Sequence, residues 1–189
     1  MHMTLLSIQA LASLVNPTSY YTMVIFAALL FIFPAYCANA TPVLAGGGTK
    51  IDFGKNFIDG KRLFGDNKTF RGFFFGWVIG LSVGLIIRYF FIPFPLLFIV
   101  LIPLGALLGD LVAAFLKRRL NIVPGGMLPI IDQVDFVIGA VVFSLPFSLP
   151  LPLGIQFWEV VVVALLITPP IHLFTNFCAY KLKLKKHPW

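Results

Sequence analysis

The stretch GDLVAAFLKRRLNIVPGGMLPIIDQVD, residues 109–135, decides how the rest of the chain is read. It starts inside an apolar run and leaves it through three consecutive cations, Lys117, Arg118 and Arg119. It turns at Pro124, Gly125 and Gly126, then enters a second apolar run behind two carboxylates, Asp132 and Asp135. Asp110 lies roughly two turns back from the charged end of an otherwise oily helix. An ionised side chain at that depth costs several kcal/mol unless it is paired, wetted or bound to a metal. That cost makes Asp110 a functional candidate.

Outward from this stretch, the composition is that of an all-α integral membrane protein. Of 189 residues, 59% are hydrophobic and 11% charged, against about 45–50% and about 25% in soluble domains. Five apolar runs, at about 19–40, 72–92, 96–116, 134–150 and 156–178, are read as about five transmembrane helices of one membrane-embedded domain, 1–189. A bilayer core of ~30 Å takes roughly 20 helical residues. Two polar loops, 43–71 and 117–131, join them. Residues 1–18 are mildly amphipathic and fit either an interfacial helix or a frayed end. No basic n-region precedes the first span, which reads as permanent rather than cleaved. Pro34 predicts a kink in the first span, and Pro169 with Pro170 predict a bend or break in the fifth. Gly72, Gly76, Gly80 and Gly84 recur every four residues and give the second span a smooth face for close helix packing. Cys37 and Cys178 read as small buried hydrophobes. The three histidines are scattered and build no site with one another.

Charge gives the orientation. Thirteen of the fourteen Lys and Arg residues lie in 43–71, 117–131 and the carboxyl tail, and cytoplasmic segments are the Lys/Arg-rich ones. The expectation is a multi-pass protein of the cell membrane with its amino terminus outside and its chemistry and carboxyl terminus cytoplasmic. Six of the seven acids follow the cations; Glu159 is at the other end. The 43–71 loop is long and Gly-rich, and its spaced apolar residues, among them Ile51, Phe53, Phe57 and Leu63, predict that it is ordered.

Asp110, Asp132 and Asp135 converge on the third and fourth spans. Asp132 and Asp135, three apart, share one helix face. Carboxylate oxygens with some water suit Mg²⁺, which often also binds substrate phosphates. Lys117, Arg118, Lys68 and Arg71 suit phosphate, and Gly46, Gly47 and Gly48 offer backbone N–H groups to one. Each feature alone has a plainer reading: a positive-inside anchor, acids favouring a helix start, a flexible turn. Asp110 alone has none beyond an ion pair to Lys117 or Arg118. A P-loop is excluded: Gly54-Lys55-Asn56 lacks the following Ser or Thr, and position 49 is Thr where a glycine is needed. Asp59-Gly60-Lys61-Arg62 matches only the start of the motif of CDP-alcohol phosphotransferases.

Several segments in order resemble the archaeal CDP-archaeol synthases, relatives of the phosphatidate cytidylyltransferases. They are NATPVLAGGGTKIDFGK (39–55), DGKRLFGDNKTFRG (59–72), GDLVAAFLKRR (109–119), PGG (124–126) and DQVDF (132–136). Ala114 stands where that family usually has Ser, and Lys50 where Pro is common. The resemblance implies transfer of CMP from CTP to the phosphate of an unsaturated isoprenoid ether glycerol phosphate, with Mg²⁺. It implies Asp110 with Asp132 or Asp135 at the metal, and Lys117, Arg118 and Lys68 on the CTP phosphates. Asn39, Gly46, Gly47, Gly48 and Thr69 would line the nucleotide pocket; Arg62 and Arg71 would meet the lipid phosphate. The partners are then CTP, the lipid phosphate and membrane lipid, with no nucleic acid. The residues leave the oligomeric state open, a homodimer included. A small-solute transporter and a CDP-alcohol phosphotransferase are the alternatives.

Overall fold

The computed structural model describes residues 17–123, 126–185 and 187. The amphipathic stretch up to residue 16, the turn residues Pro124 and Gly125, and Lys186 lie outside the described residues. Among the described residues five helices follow in order: α1 Pro17–Ala45, α2 Phe70–Phe90, α3 Leu96–Arg119, α4 Ile131–Ser144 and α5 Phe157–Lys181, with a 3-10 turn at Pro152–Gly154. Among the described residues, extended pairing is limited to two isolated bridges, Lys50 with Thr69 and Asn56 with Arg62. The expected all-α architecture is the one observed.

Among the described residues four helices, α1, α2, α3 and α5, are long and apolar enough to cross a membrane. The fourth expected span is different. α4 has 14 residues, about 21 Å of helix, short of a ~30 Å hydrocarbon core. Direction along the chain explains its place. The Tyr20 hydroxyl donates to the Glu159 carboxylate at 2.8 Å, joining the amino-terminal ends of α1 and α5. Lys117 joins Asp132 at the opposite end of the bundle. The chain therefore returns from the α3 end to the α5 start through α4 plus the irregular segment 145–156.

One expectation about a helix end is corrected. α3 runs on through Lys117, Arg118 and Arg119, so these cations form its last turn rather than the start of a loop. Cations there oppose the negative end of the helix dipole. α5 is continuous across Pro169 and Pro170, and α1 across Pro34 and Pro42. The prolines remove hydrogen bonds from these helices without ending them, a tolerance that membrane helices gain from their neighbours.

The glycine face of α2 is buried, as expected. A Cβ on Gly80 would lie 2.5 Å from Pro103 Cβ and 2.9 Å from the Pro34 carbonyl oxygen, so α2 seats against α1 and α3 together. A second glycine contact, not foreseen, joins α3 to α4. A Cβ on Gly139 would approach the Gly105 oxygen to 2.1 Å, and one on Gly109 the Asp135 oxygen to 2.3 Å. The α3 and α4 backbones touch there. Lipid-like interiors give little hydrophobic drive between helices, so close backbone contact of this kind holds them.

The long polar loop is ordered, as its apolar spacing predicts. It is built around Asp52, whose carboxylate is fully buried. Asp52 accepts N–H bonds from Gly54 at 3.0 Å, Phe64 at 3.2 Å and Gly65 at 3.1 Å, and two from Arg62 at 2.9 and 3.0 Å. Burial alone would push this carboxyl up. The Gly65 N–H, the Arg62 guanidinium and the N–H groups of Gly54 and Phe64 outweigh it and hold the carboxyl down at about 2.

Candidate functional site

The carboxyl ends of α1 and α3, the start of α2 and the start of α4 meet at one end of the bundle. The loop after α1 crosses over them. Ile51 N–H donates to the Lys68 carbonyl at 2.9 Å and Phe70 N–H to the Thr49 carbonyl at 3.0 Å, tying the two ends of the loop together. That tie sets Lys68 beside α3. Its ammonium contacts Asp110 Oδ2 at 2.5 Å, with both side chains about a quarter exposed. Asp110 thus has the partner its depth requires, and the partner is Lys68 rather than Lys117 or Arg118.

Lys117 reaches across to α4 instead. Its ammonium is 2.6 Å from Asp132 Oδ2, and both side chains are less than a fifth exposed. The Leu128 N–H donates to the same oxygen at 2.9 Å. Asp132 Oδ1 is buried and has no hydrogen-bond partner. Asp135 lies one turn further along α4, where Gly109 allows the two backbones to meet. Its Oδ1 accepts the Phe136 N–H at 2.6 Å, and it lies within electrostatic reach of Asp110, Lys68 and Asp132. The three carboxylates therefore belong to one neighbourhood. Among the described residues, however, no three Asp, Glu, His or Cys side chains are gathered closely enough to hold one metal ion together.

The donor set still suits a hard divalent cation. It is all oxygen, and the Asp132 Oδ1 is buried with nothing to satisfy it, a costly state for a carboxylate. The lysines occupy only Oδ2 of Asp110 and of Asp132.

The remaining expected residues lie around these pairs in different settings. Thr69 is buried and caps α2, its hydroxyl accepting the Gly72 N–H at 3.1 Å. Asn39 is half-buried on α1, while Gly47 and Gly48 are exposed in left-handed conformations, φ 99° and 78°, which glycine adopts without strain. Gly46 is held close to the end of α1, for a Cβ there would lie 2.5 Å from the Pro42 oxygen. Arg118 turns towards the Val123 carbonyl. Arg71 is exposed in the first turn of α2, and among the described residues it makes no ion pair.

Arg62 is placed differently from a surface phosphate ligand. It is bound by buried Asp52 and, at 2.8 Å, by Asp66, so its guanidinium organises the loop. Arg119 does similar work. It pairs with Asp59 at 2.9 Å, donates to the Arg62 carbonyl at 2.5 Å and lies over the Phe57 and Phe115 rings. Ala114 is buried on α3 one turn beyond Asp110. A serine hydroxyl there would have the Asp110 carbonyl within reach as an acceptor.

Sequence reasoning missed two features. Asp52 was read as one acid among several; its position between glycines in a long loop was the available sign. The polar face of α5 was missed as well. His172 ring lies 5.9 Å from the Phe136 ring of α4, and Asn176 Nδ2 is 3.2 Å from His172 Nδ1. Their four-residue spacing inside an apolar helix was the signal. His172 faces the site described here.

Between α3 and α4 an apolar cavity of about 350 Å³ opens along Leu108, Val112, Leu116, Ile138, Val142 and Phe143, and Asp135 lines it too.

Relatives of this chain are found over most of its length. The family model described as CarS-like, CDP-archaeol synthase, matches residues 21–189. A CDP-archaeol synthase of Pyrococcus furiosus is 45% identical over 170 residues, covering 87% of this chain and 98% of the relative. One of Methanocaldococcus jannaschii is 41% identical over 179 residues, covering 87% and 97%. A solved structure, described as an intramembrane enzyme for archaeal membrane lipids biosynthesis, superposes with a TM-score of 0.69 at 37% identity, covering 80% of this chain and 94% of that one. With the membrane-length helices, the partly buried carboxylate–lysine pairs and a family match over nearly its whole length, the chain belongs to the CDP-archaeol synthase family.

Proposed function

We propose that this chain transfers CMP from CTP to the phosphate of an unsaturated isoprenoid ether glycerol phosphate, giving the CDP-activated lipid and pyrophosphate. The observation that carries the reading is the pair of bridges Lys68–Asp110 and Lys117–Asp132, set beside Asp135 at one end of a membrane bundle. A phosphate nucleophile is already anionic, so no general base is needed. One lipid phosphate oxygen forms a bond to the α-phosphorus of CTP; the bond from that phosphorus to the bridging oxygen breaks, and pyrophosphate carries the electron pair away. The difficulty is charge, because two anions must meet and a third must leave.

Lys68, Lys117 and Arg118 supply that neutralisation on the nucleotide phosphates. Gly46, Gly47 and Gly48, with Asn39 near the end of α1, border the nucleotide, and Thr69 fixes the start of α2 so that Lys68 is aimed inward. Arg71, exposed and without an ion pair among the described residues, is suited to the lipid phosphate; Arg62 supports it through the loop. Asp110 with Asp132 or Asp135 would hold Mg²⁺, which supplies Lewis-acid charge at the phosphates when bound. The apolar cavity between α3 and α4 suits the isoprenoid tails.

The positive end of the bundle faces the cytoplasm in this reading, with the amino terminus outside. A homodimer is compatible with it and not required.

CTP labelled at the α- or the γ-phosphate separates this reaction from its rivals. Label from the α-position, and none from the γ-position, is expected in the organic-extractable lipid. Label from neither, in a folded sample given both substrates, would defeat the reading. Consumption of a CDP-lipid without CTP would point to a CDP-alcohol phosphotransferase instead.

A further inference from the structure

The lysines of the carboxyl tail do not all face the same way. Lys181 is exposed and lies over the Phe177 ring, as a positive-inside anchor would. Beyond it the chain reverses. The N–H groups of Leu182, Lys183 and Leu184 donate to the carbonyls of Cys178, Tyr180 and Ala179, each at 2.9 Å. Lys183 takes a left-handed conformation, φ 59°, which ends a helix and turns the chain back on itself.

The reversal brings Lys185 against the face of α5. Its ammonium donates to Asn176 Oδ1 at 3.0 Å, and the amide nitrogen of Asn176 is 3.2 Å from His172 Nδ1. The His172 ring in turn rests on Phe136, the neighbour of Asp135. Lys185 is half-buried, an unusual fate for a tail lysine. Burial and the nearby Lys117 and Lys68 hold its ammonium below the usual lysine range, with Asp132 and Asp110 opposing them. Through Asn176, His172 and Phe136 the tail cation thus sits beside the end of α4 that carries Asp132 and Asp135, on the side of the bundle that holds the Lys68–Asp110 and Lys117–Asp132 pairs.

We propose that Lys185 is a third cation of the nucleotide site: it contacts the phosphates of bound CTP and the departing pyrophosphate, and Asn176, backed by His172, is its positioning residue. The inference rests on the CTP-dependent reading above. In the chemical step Lys185 exchanges no proton; it neutralises the charge gained by the leaving group as the bond from the α-phosphorus breaks.

Full-length wild-type protein, Lys185→Gln, Lys185→Arg, Asn176→Ala and Lys181→Gln are compared in detergent. The measurements are KM for CTP, KM for the lipid phosphate, kcat, and the inhibition constant of inorganic pyrophosphate. Loss of one charge-assisted contact predicts roughly a tenfold rise in KM for CTP and in the pyrophosphate constant for Lys185→Gln. The lipid KM stays unchanged, Lys185→Arg recovers most of the loss, and Asn176→Ala moves the same two constants. Lys181→Gln matches wild type. CTP and pyrophosphate constants unaltered in Lys185→Gln would overturn the inference while wild-type turnover upheld the reaction. A rise in lipid KM alone, or equal losses in Lys181→Gln, would also overturn it, by making the tail a surface anchor. Wild-type protein without CTP turnover would overturn the reaction itself, and the inference with it.

Discussion

Gly139→Ala is the sharpest test of how the site is held together. The added Cβ would lie 2.1 Å from the Gly105 oxygen and 3.0 Å from Gly109 Cα, whereas ordinary contact begins at 3.4 Å. The clash is backbone against backbone, so no flexible side chain can yield. α3 and α4 would have to part by about 1.3 Å locally. Overpacking of this kind costs about 1–3 kcal/mol. The larger effect falls on chemistry. Lys117 on α3 and Asp132 on α4 meet at 2.6 Å across the same helix pair, and a misplacement of ~1 Å can cost about a hundredfold in rate. Gly80→Ala is the control. Its Cβ would meet Pro103 Cβ at 2.5 Å, a comparable insult at the α2–α3 contact. The assays are thermal unfolding in detergent and steady-state turnover. Both variants are expected to lose similar stability, and Gly139→Ala at least tenfold more kcat than Gly80→Ala. Wild-type stability and turnover in Gly139→Ala would refute the claim that α3–α4 contact aligns the site.

Lys117→Ala leaves the Asp132 carboxylate without its cation in a mostly buried setting, and should cost about tenfold or more in kcat/KM for CTP, with Lys117→Arg recovering part of it. Asp110→Asn keeps the shape and removes the charge that pairs with Lys68; a folded variant with undiminished Mg²⁺-dependent turnover would contradict the metal assignment. Asp52 gives a pH prediction. Its folded-state carboxyl sits at about 2, below its ordinary value near 3.8. The stabilisation, about 2 kcal/mol, is therefore fully present above about pH 4 and is lost as pH falls towards 2. Pepsin nicking of the loop around residues 46–69 should rise across that window in wild type, whereas Asp52→Asn should be nicked readily throughout.

The sequence carries the gross architecture because its signals are local. Runs of apolar residues placed four membrane-length helices, and the repeat from Gly72 to Gly84 marked the face that α2 buries. Asp110 was conspicuous because a charge in an oily helix is expensive wherever its partner lies. Partners were not legible, since they depend on how loops return. Lys68 reaches Asp110 only because the loop ends are tied at Thr49 and Phe70. Arg62 looked available until the fold supplied Asp52, ten residues earlier, as its acceptor. α4 misled by composition: the apolar run continues past Ser144 to residue 150, while its helix stops where Pro146 and Pro150 follow. His172, Asn176 and Lys185 lay in a helix that read as greasy and a tail whose lysines served only to set the orientation; only the reversal at Lys183 aligns them.

Release of pyrophosphate by detergent-purified protein tests the central claim most directly. The protein is given Mg²⁺ with CTP, with a di-isoprenoid glycerol phosphate, or with both, and with ATP in place of CTP as a control. The account predicts pyrophosphate with CTP and lipid together, and none with either alone or with ATP. A folded sample that releases none from the complete mixture, or releases it without the lipid, would contradict the account.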